Sequence, residues 1–475
     1  MMESMLKENG LSFKKIEEKI FRECCGMAAE VTGNFLEEYD RYLHDSRDKK
    51  AYRDKGLRRS TVKTVYGEVE YRRHVYETMD ESGIRRYVYL LDETLDLKTA
   101  GLISQHYAEK LVSGITTKSY RNCAEEVSAT TGQTISAMGV WNVVQALGGE
   151  IADEEKELAK RHRETPLKGK KEAPVLFEET DGVNIKLQGK DREATKDGKA
   201  EMKVAICYDG WKQVAKDRYL LDGKVAFAGF SESKEFHRIR EAKIASEYNL
   251  DETQLRILNG DGASWIKKVP DRETIFQLDT FHRNKAVRER IHKKRAVNDI
   301  MDILDESDIT ELFRYLAIYR DSLSDDAEIE DADALIKYFT SNAAGLVPYG
   351  ERVELPESPE GLTYRNMGTM ENHIWSIIAS RMKHNHTTWS RNGANNLAKL
   401  LAKKCEGKLY EATDRLRRPV FEAELTEELL GGILPAKQNP ERIGKGYGYP
   451  VCGSMPALEE ALRGAPEKLL RMAGY

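Results

Sequence analysis

The sequence predicts an α/β protein. The expected core is a mixed sheet with helices on both sides, interrupted by a helical insertion and preceded by a mostly helical region with a small β-hairpin. Three observations lead there. Residues 174–282 alternate short apolar runs with turn signals and one helical stretch. Residues 283–360 break that alternation with helically spaced apolar positions. Residues 1–160 read as helices apart from one Val-, Thr- and Tyr-rich segment at 61–77.

Composition narrows the function classes. The 475 residues carry 75 basic and 80 acidic side chains, a formal charge of −5. A uniformly basic coat is excluded, so a polyanion would have to meet a local patch. Cys24, Cys25, Cys123, Cys207, Cys405 and Cys452 are scattered with no C-x-x-C pair, which speaks against a zinc ribbon or a disulfide framework and fits a cytoplasmic protein. The start MMESMLKENGLS has no apolar core of a secretion signal, and the longest uncharged stretch, 127–149, is too polar to span a membrane.

Taken in order, 1–50 is an amphipathic helical region. Its stripe of Phe13, Ile16, Ile20, Cys24, Met27, Val31, Phe35 and Tyr39 suits packing on the chain itself or on a second copy. Residues 51–98 hold a hairpin turning at Tyr66-Gly67. Arg53, Lys55, Arg58, Arg59, Lys63, Arg72 and Arg73 make it basic, which suits either a solvated face or phosphate contact. Residues 99–160 contain SYRNCAEEVSATTG, with Ser119 as an N-cap, then a short turn and QTISAMGVWNVVQALGG. That is a helix-turn-helix outline with Ser136, Asn142 and Gln145 offered to bases, although helical hairpins in ordinary cores look similar. Residues 151–173 are charged and read as a linker after a helix end. The core resumes over 174–282 and finishes over 361–410, with the insertion at 283–360 and a tail at 411–475. In the insertion, 283–295 holds seven basic residues, whereas 299–333 holds thirteen acids and two arginines.

The chemistry rests on acids. Asp181 closes the run VLFEETDG and Asp261 closes LRILNGDG. D-G is also an ordinary turn dipeptide, used here at Asp197, Asp209 and Asp222 as well. Two such acids at the ends of neighbouring parallel strands would leave the sheet at one edge, where ligands of α/β folds bind. Glu371 opens an apolar-faced helix that is followed by Arg381, Lys383, His384, His386, Trp389 and Arg391. Clustered carboxylates repel one another, and a hard divalent cation relieves that penalty. Two such ions, Mg²⁺ or Mn²⁺, can serve phosphodiester chemistry. Glu179 shares the strand face of Asp181, and we expect it to take no part in holding metal.

These residues carry a resemblance. ETDGVNIKLQ, LNGDGASWI, QLDTFHRNK and MENHIWSIIASRMK with WSRNGA resemble bacterial insertion-sequence transposases of the DDE type. The resemblance is to relatives of the Mutator superfamily, in a branch long catalogued as an uncharacterised protein family. It covers most of 50–410 and implies a ribonuclease-H-like catalytic core. It also implies Asp181, Asp261 and Glu371 as metal-holding catalytic residues, His282 beside them, and a helical insertion filling the 110-residue gap between Asp261 and Glu371. Asp279 and His282 match the superfamily's Asp-x-x-His that follows the second aspartate.

The implied partners are double-stranded DNA, as element ends and target, and further copies of the chain. The expected location is the cytoplasm, at the nucleoid. Beyond Asn142, DNA contacts are expected from Arg58, Arg59, Arg72, Arg73, Arg283, Lys285, Arg290, Lys294, Arg381, Lys383, Trp389 and Arg391. A DNA-binding protein without catalysis, and a metal-free carboxylate-pair glycoside hydrolase, are the rival readings.

Overall fold

The computed structural model describes residues 12–267, 274–383 and 387–417. The chain divides into two compact units, and several elements run from one into the other. The smaller unit comprises Thr32–Thr61 and Glu70–Asp96 of the described chain. It takes the second half of helix α1 (Phe13–Ser46), most of strands β1 (Arg53–Thr64) and β2 (Gly67–Met79), and β3 (Arg85–Val88). Strand β3 pairs antiparallel with β2 from Tyr76↔Val88 to Met79↔Arg85. The predicted hairpin is present with its turn at Tyr66-Gly67, and alternate residues Val69, Tyr71, Arg73 and Val75 of β2 are buried.

In the larger unit, the hairpin tip meets two short strands, β4 (Thr99–Ala100) and β5 (Ile103–Ser104), through Lys63↔Ile103. Three helices follow: α2 (Gln105–Ile115), α3 (Tyr120–Thr130) and α4 (Ala137–Glu164). Each starts at a serine whose hydroxyl accepts a backbone N–H of the first turn: Ser104, Ser119 and Ser136. Helix α4 does not stop near Gly149. It continues through 151–164, burying Ile151 and Glu155, so most of the expected linker is core helix.

The central sheet runs in the order β10-β7-β6-β11-β12. Its strands are β6 (Val175–Lys186), β7 (Lys199–Tyr208), β10 (Val225–Gly229), β11 (Leu255–Gly260) and β12 (Thr274–Leu278). The strands β8 (Trp211–Ala215) and β9 (Arg218–Leu221) form a small antiparallel sheet with β13 (Leu362–Thr363). β10, β7 and β6 are mutually antiparallel, whereas β6, β11 and β12 are parallel. The mixed sheet is as the sequence predicts, with one correction. β6 does not turn back at Asp181-Gly182. Its ladder with β7 continues from Phe177↔Tyr208 to Lys186↔Lys199, so Asn184, Ile185 and Lys186 extend the strand.

Helix α5 (Ser233–Glu247) packs among the sheet and α4, and its buried face includes Phe236, Ile239 and Ile244. Besides the short helices Ala343–Leu346 and Tyr349–Arg352, the insertion contains α6 (Thr280–Arg290), α7 (Lys294–Asp305), α8 (Ile309–Asp321) and α9 (Asp326–Ser341). They close over their own core of Val287, Ile300, Leu304, Leu312, Leu316 and Phe339. The chain returns through α10 (Met370–Ile374), which runs on through a wide turn at Trp375–Ala379 to Met382. Helix α11 (Arg391–Cys405) completes the core, packing with α4 and β10. Of the expected tail only 411–417 is described.

The stripe of α1 is largely solvent-exposed: Phe13, Ile20, Met27, Val31 and Phe35 all lie open. Packing on the described residues of the chain therefore does not cover it. Among the described residues no helix is long and apolar enough to cross a membrane.

Candidate functional site

Strand register decides what the site contains. β6 and β11 run parallel and in register as far as Glu179↔Asn259. Two residues further on come Asp181 and Asp261, close enough for the charge of the first to act on the carboxyl of the second. β12 continues the series: Gly260 pairs with Leu278, and the next residue, Asp279, donates its N–H to the Gly260 carbonyl at 2.9 Å. Asp261 and Asp279 thus follow the carboxyl ends of β11 and β12, and Asp181 lies within β6 just past the point where its pairing with β11 stops.

Asp279 is buried and caps α6, accepting the His282 N–H at 3.1 Å. Its second oxygen accepts from Asn259 Nδ2 at 2.9 Å. The cap fixes the first turn of α6 and sets His282 Nε2 3.3 Å from Asp181 Oδ2. Asp261 Oδ1 accepts the Ala263 N–H at 2.8 Å, while its carbonyl accepts the Tyr338 hydroxyl of α9 at 2.8 Å. The intervening Gly262 has φ +87°, and a Cβ there would run into the Asn342 amide.

Glu371 arrives from the far end of the chain. One ligand atom each from Asp181, His282 and Glu371 lies within 4.8 Å of the others. Asp261 stands outside that trio, although the charges of Asp181 and His282 reach its carboxyl.

What brings Glu371 there is Glu179, a residue for which the sequence reading expected no metal role. It is fully buried. Oε2 accepts the N–H groups of Gly368, Thr369 and Met370 at 3.2, 2.9 and 3.0 Å, and Asn259 Nδ2 at 3.2 Å. Oε1 accepts the Thr369 and Tyr208 hydroxyls at 2.7 and 2.6 Å. One carboxylate therefore takes up the orphan donors at the start of α10, the turn that carries Glu371. The sequence signal was its spacing: two residues before Asp181 on the same strand face.

The electrostatics follow from this crowding. Burial and the neighbouring Asp181 charge raise the Asp261 carboxyl above the ordinary range, against the Ala263 N–H. The hydrogen bond that His282 donates to Asp181, reinforced by the surrounding carboxylates and opposed by burial, raises His282 above the usual imidazole value. Four carboxylates (Asp181, Asp261, Asp279 and Glu371) meet a single imidazole. This oxygen-rich donor set fits a hard divalent cation better than zinc.

The residues expected on DNA separate into two groups. Arg59, Arg72, Asn142, Lys285, Lys294, Lys383 and Arg391 are exposed. Arg59 is paired with Glu70, and Arg72 with Glu37. Arg73, Arg283, Arg381 and Trp389 are withdrawn from solvent, at 5, 7, 8 and 7 % exposure, which corrects their expected contact role. Arg73 is ion-paired with buried Asp92, and Arg283 hydrogen-bonds Asn284. Arg381 donates to the Ile115 carbonyl and lies over the Trp389 ring, whose Nε1 donates to the Met382 carbonyl. Arg58 and Arg290 are half-buried and donate to the Leu57 and Ala334 carbonyls. In the helix pair, Ser136 serves as the cap of α4, and Gln145 accepts from Asn396 of α11 at 2.9 Å. Asn142 alone of that trio keeps the outward role. His384 and His386 lie outside the described residues.

The fold and site define an α/β protein with an acid-rich cluster at the carboxyl edge of a mixed sheet. Residues 6–418 match the Uncharacterised protein family (UPF0236), and the chain belongs to that family. A UPF0236 protein of Caldanaerobacter subterraneus subsp. tengcongensis is 26% identical over 408 residues, covering 84% of this chain and 79% of the relative. A second from the same bacterium is 25% identical over 405 residues, covering 83% and 79%. A third is 26% identical over 375 residues, covering 77% and 72%.

Proposed function

We propose that this protein is a DDE-type transposase of an insertion sequence, related to the Mutator superfamily, with a ribonuclease-H-like catalytic core. The observation that carries the reading is the meeting of Asp181, His282 and Glu371, drawn from strand, insertion and final helix, beside Asp261. Two further features support it. A helical insertion follows the last strand of the central sheet and separates the second acid from the third. The printed name of one relative joins eleven loci of a single genome, and multiplication within a genome is what a mobile element does.

In this reading Asp181, Asp261 and Glu371 would hold Mg²⁺ or Mn²⁺, which when bound would supply positive charge to the attacking and leaving oxygens of a phosphodiester. His282 Nε2 carries a proton shared with Asp181 Oδ2 and orients that carboxylate. Water attacks the phosphodiester at the element end, and the 3′-oxygen leaves as a hydroxyl. That hydroxyl then attacks a target phosphodiester and displaces a second 3′-oxygen. The exposed Arg59, Lys285, Lys294, Lys383 and Arg391 hold backbone phosphates, and Asn142 faces base edges. The open apolar stripe of α1 suits a second copy of the chain, as paired element ends require.

The test is cleavage of a plasmid carrying the gene with its own flanking ends, in Mg²⁺. Asp181→Asn and Glu371→Gln are expected to lower cleavage on the order of 10³-fold, the loss of several kcal/mol of charge stabilisation, with end binding unchanged. Cleavage retained by either variant, or cleavage unaffected by chelation, refutes the assignment.

A further inference from the structure

A second cluster of ligand-bearing side chains lies in the smaller unit and belongs to none of the chemistry above. His44 sits in the last turn of α1, Asp54 at the start of β1 and His74 in the middle of β2. One ligand atom from each lies within 4.8 Å of the others. The two imidazoles stack with their centroids 4.0 Å apart, a placement that costs energy if both carry charge.

Behind His74 stands Asp40, one helical turn before His44 and only 1 % exposed. Its carboxylate accepts the His74 backbone N–H at 3.1 Å and meets His74 Nδ1 at 2.6 Å. That contact places the ring proton on Nδ1, so Nε2 is the nitrogen left with a lone pair. Carboxylate behind, imidazole in front is the arrangement that orients and strengthens histidine ligands to metals. His44 is steered in the same way, with Nδ1 3.3 Å from the Tyr76 hydroxyl. The nearest fixed cation, Arg47, is occupied elsewhere, donating to the Tyr52 and His44 carbonyls and lying over the Tyr76 ring.

We infer that His44, Asp54 and His74 form a structural Zn²⁺ site. Two imidazoles and one carboxylate suit a borderline transition ion and are a poor match for Mg²⁺. Water completes the coordination. Ligands from a helix end, a strand start and the neighbouring strand close the 44–54 connection onto the sheet. Such an ion would lock the end of α1 to the hairpin, and its affinity would become folding stability of this unit. The site is independent of the acid cluster at the sheet edge and stands whether or not that cluster cleaves DNA.

Full-length protein freed of metal with a chelator is titrated with Co²⁺, followed by its visible absorption, and then with competing Zn²⁺. The expected result is one tightly bound Co²⁺ per chain, displaced by Zn²⁺, and a raised thermal unfolding midpoint with Zn²⁺. His44→Gln abolishes the Co²⁺ spectrum. Asp40→Asn weakens binding by about 10–100-fold. Asp54→Ala, at an exposed position that leaves the core intact, weakens it at least about tenfold, with unchanged circular dichroism as the folding control. The double variant Asp181→Asn, Glu371→Gln keeps the spectrum. No Co²⁺ spectrum in the wild-type chain overturns the assignment. So does a spectrum unaltered by both His44→Gln and Asp54→Ala, or one lost only with the Asp181 and Glu371 changes.

Discussion

Two groups of charge in the larger unit, one buried and one open to solvent at Glu371, make an instructive pair. Between α4, α5 and α11, Glu155 meets Lys243 at 3.1 Å and Lys399 at 2.6 Å. Glu406, just beyond α11, meets Lys243 at 3.2 Å and Lys403 at 3.1 Å. Each acid there has cations of its own. Burial pushes the Glu155 carboxyl up, yet Lys399 and Lys243 outweigh it and hold the carboxyl below the ordinary range. At the sheet edge the balance is reversed: Asp181, Asp261, Asp279 and Glu371 share one histidine, and Asp261 is pushed up. The first group is closed and serves the fold. The second is left short of positive charge, the state expected of a place built to receive it from outside.

Stability measurements break or sharpen this contrast. The largest effect is expected in the closed group, where Glu155→Ala strips buried Lys399 of its ion-pair partner and costs about 3–5 kcal/mol in urea unfolding. In the open group, Asp261→Asn keeps the acceptor for the Ala263 N–H and removes a repelled charge, so stability stays level or rises. A loss comparable to that of Glu155→Ala would erase the distinction.

Next comes Glu179→Gln. An amide NH₂ set against the donors of Gly368, Thr369, Met370 and Tyr208 leaves some of them unpaired, at about 1–3 kcal/mol. Cleavage falls as well, because Glu371 loses its mooring; full activity in a destabilised Glu179→Gln protein would show that the clamp does not position it.

A smaller, pH-dependent effect belongs to His282. Its folded-state pKa is raised, so its contribution is fully present below the unfolded value, about 6.5, and is lost as pH rises through the higher folded value. Without divalent ions, stability should decline over that window, and His282→Gln should flatten the decline. An unchanged slope in the variant would assign the titration to another group.

The smallest effect is at the surface. Arg59→Ala, which removes an exposed pair with Glu70, should alter stability by less than about 1 kcal/mol. It should weaken DNA binding evenly across sequences, read as a shallower salt dependence. A sequence-selective loss would argue against phosphate contact.

Much of this was legible beforehand. The apolar runs before Asp181 and Asp261 showed strands covered on both faces, and the charge-segregated helices of 283–360 showed an insertion with a core of its own. The run of β6 past Asp181 was not legible. Its Asp-Gly is a turn signal that the long β7 ladder overrides, down to Lys186↔Lys199. Nor could basic residues be sorted. Arg73 finds Asp92 19 positions away, and Arg381 finds the Ile115 carbonyl 266 positions away. Local composition records charge without recording its partner. Glu179 was visible on the right strand face, yet its donors at 368–370 are supplied by a segment that only the folded chain brings near.

The Tyr338 hydroxyl, held on the Asp261 carbonyl, ties the last insertion helix to the loop after β11. The insertion is thereby a buttress rather than a decoration. A shortened chain lacking it would keep all five strands of the central sheet and still lose the footing of its second aspartate. Trimming of the chain should therefore begin at the turn between α7 and α8 and spare α9.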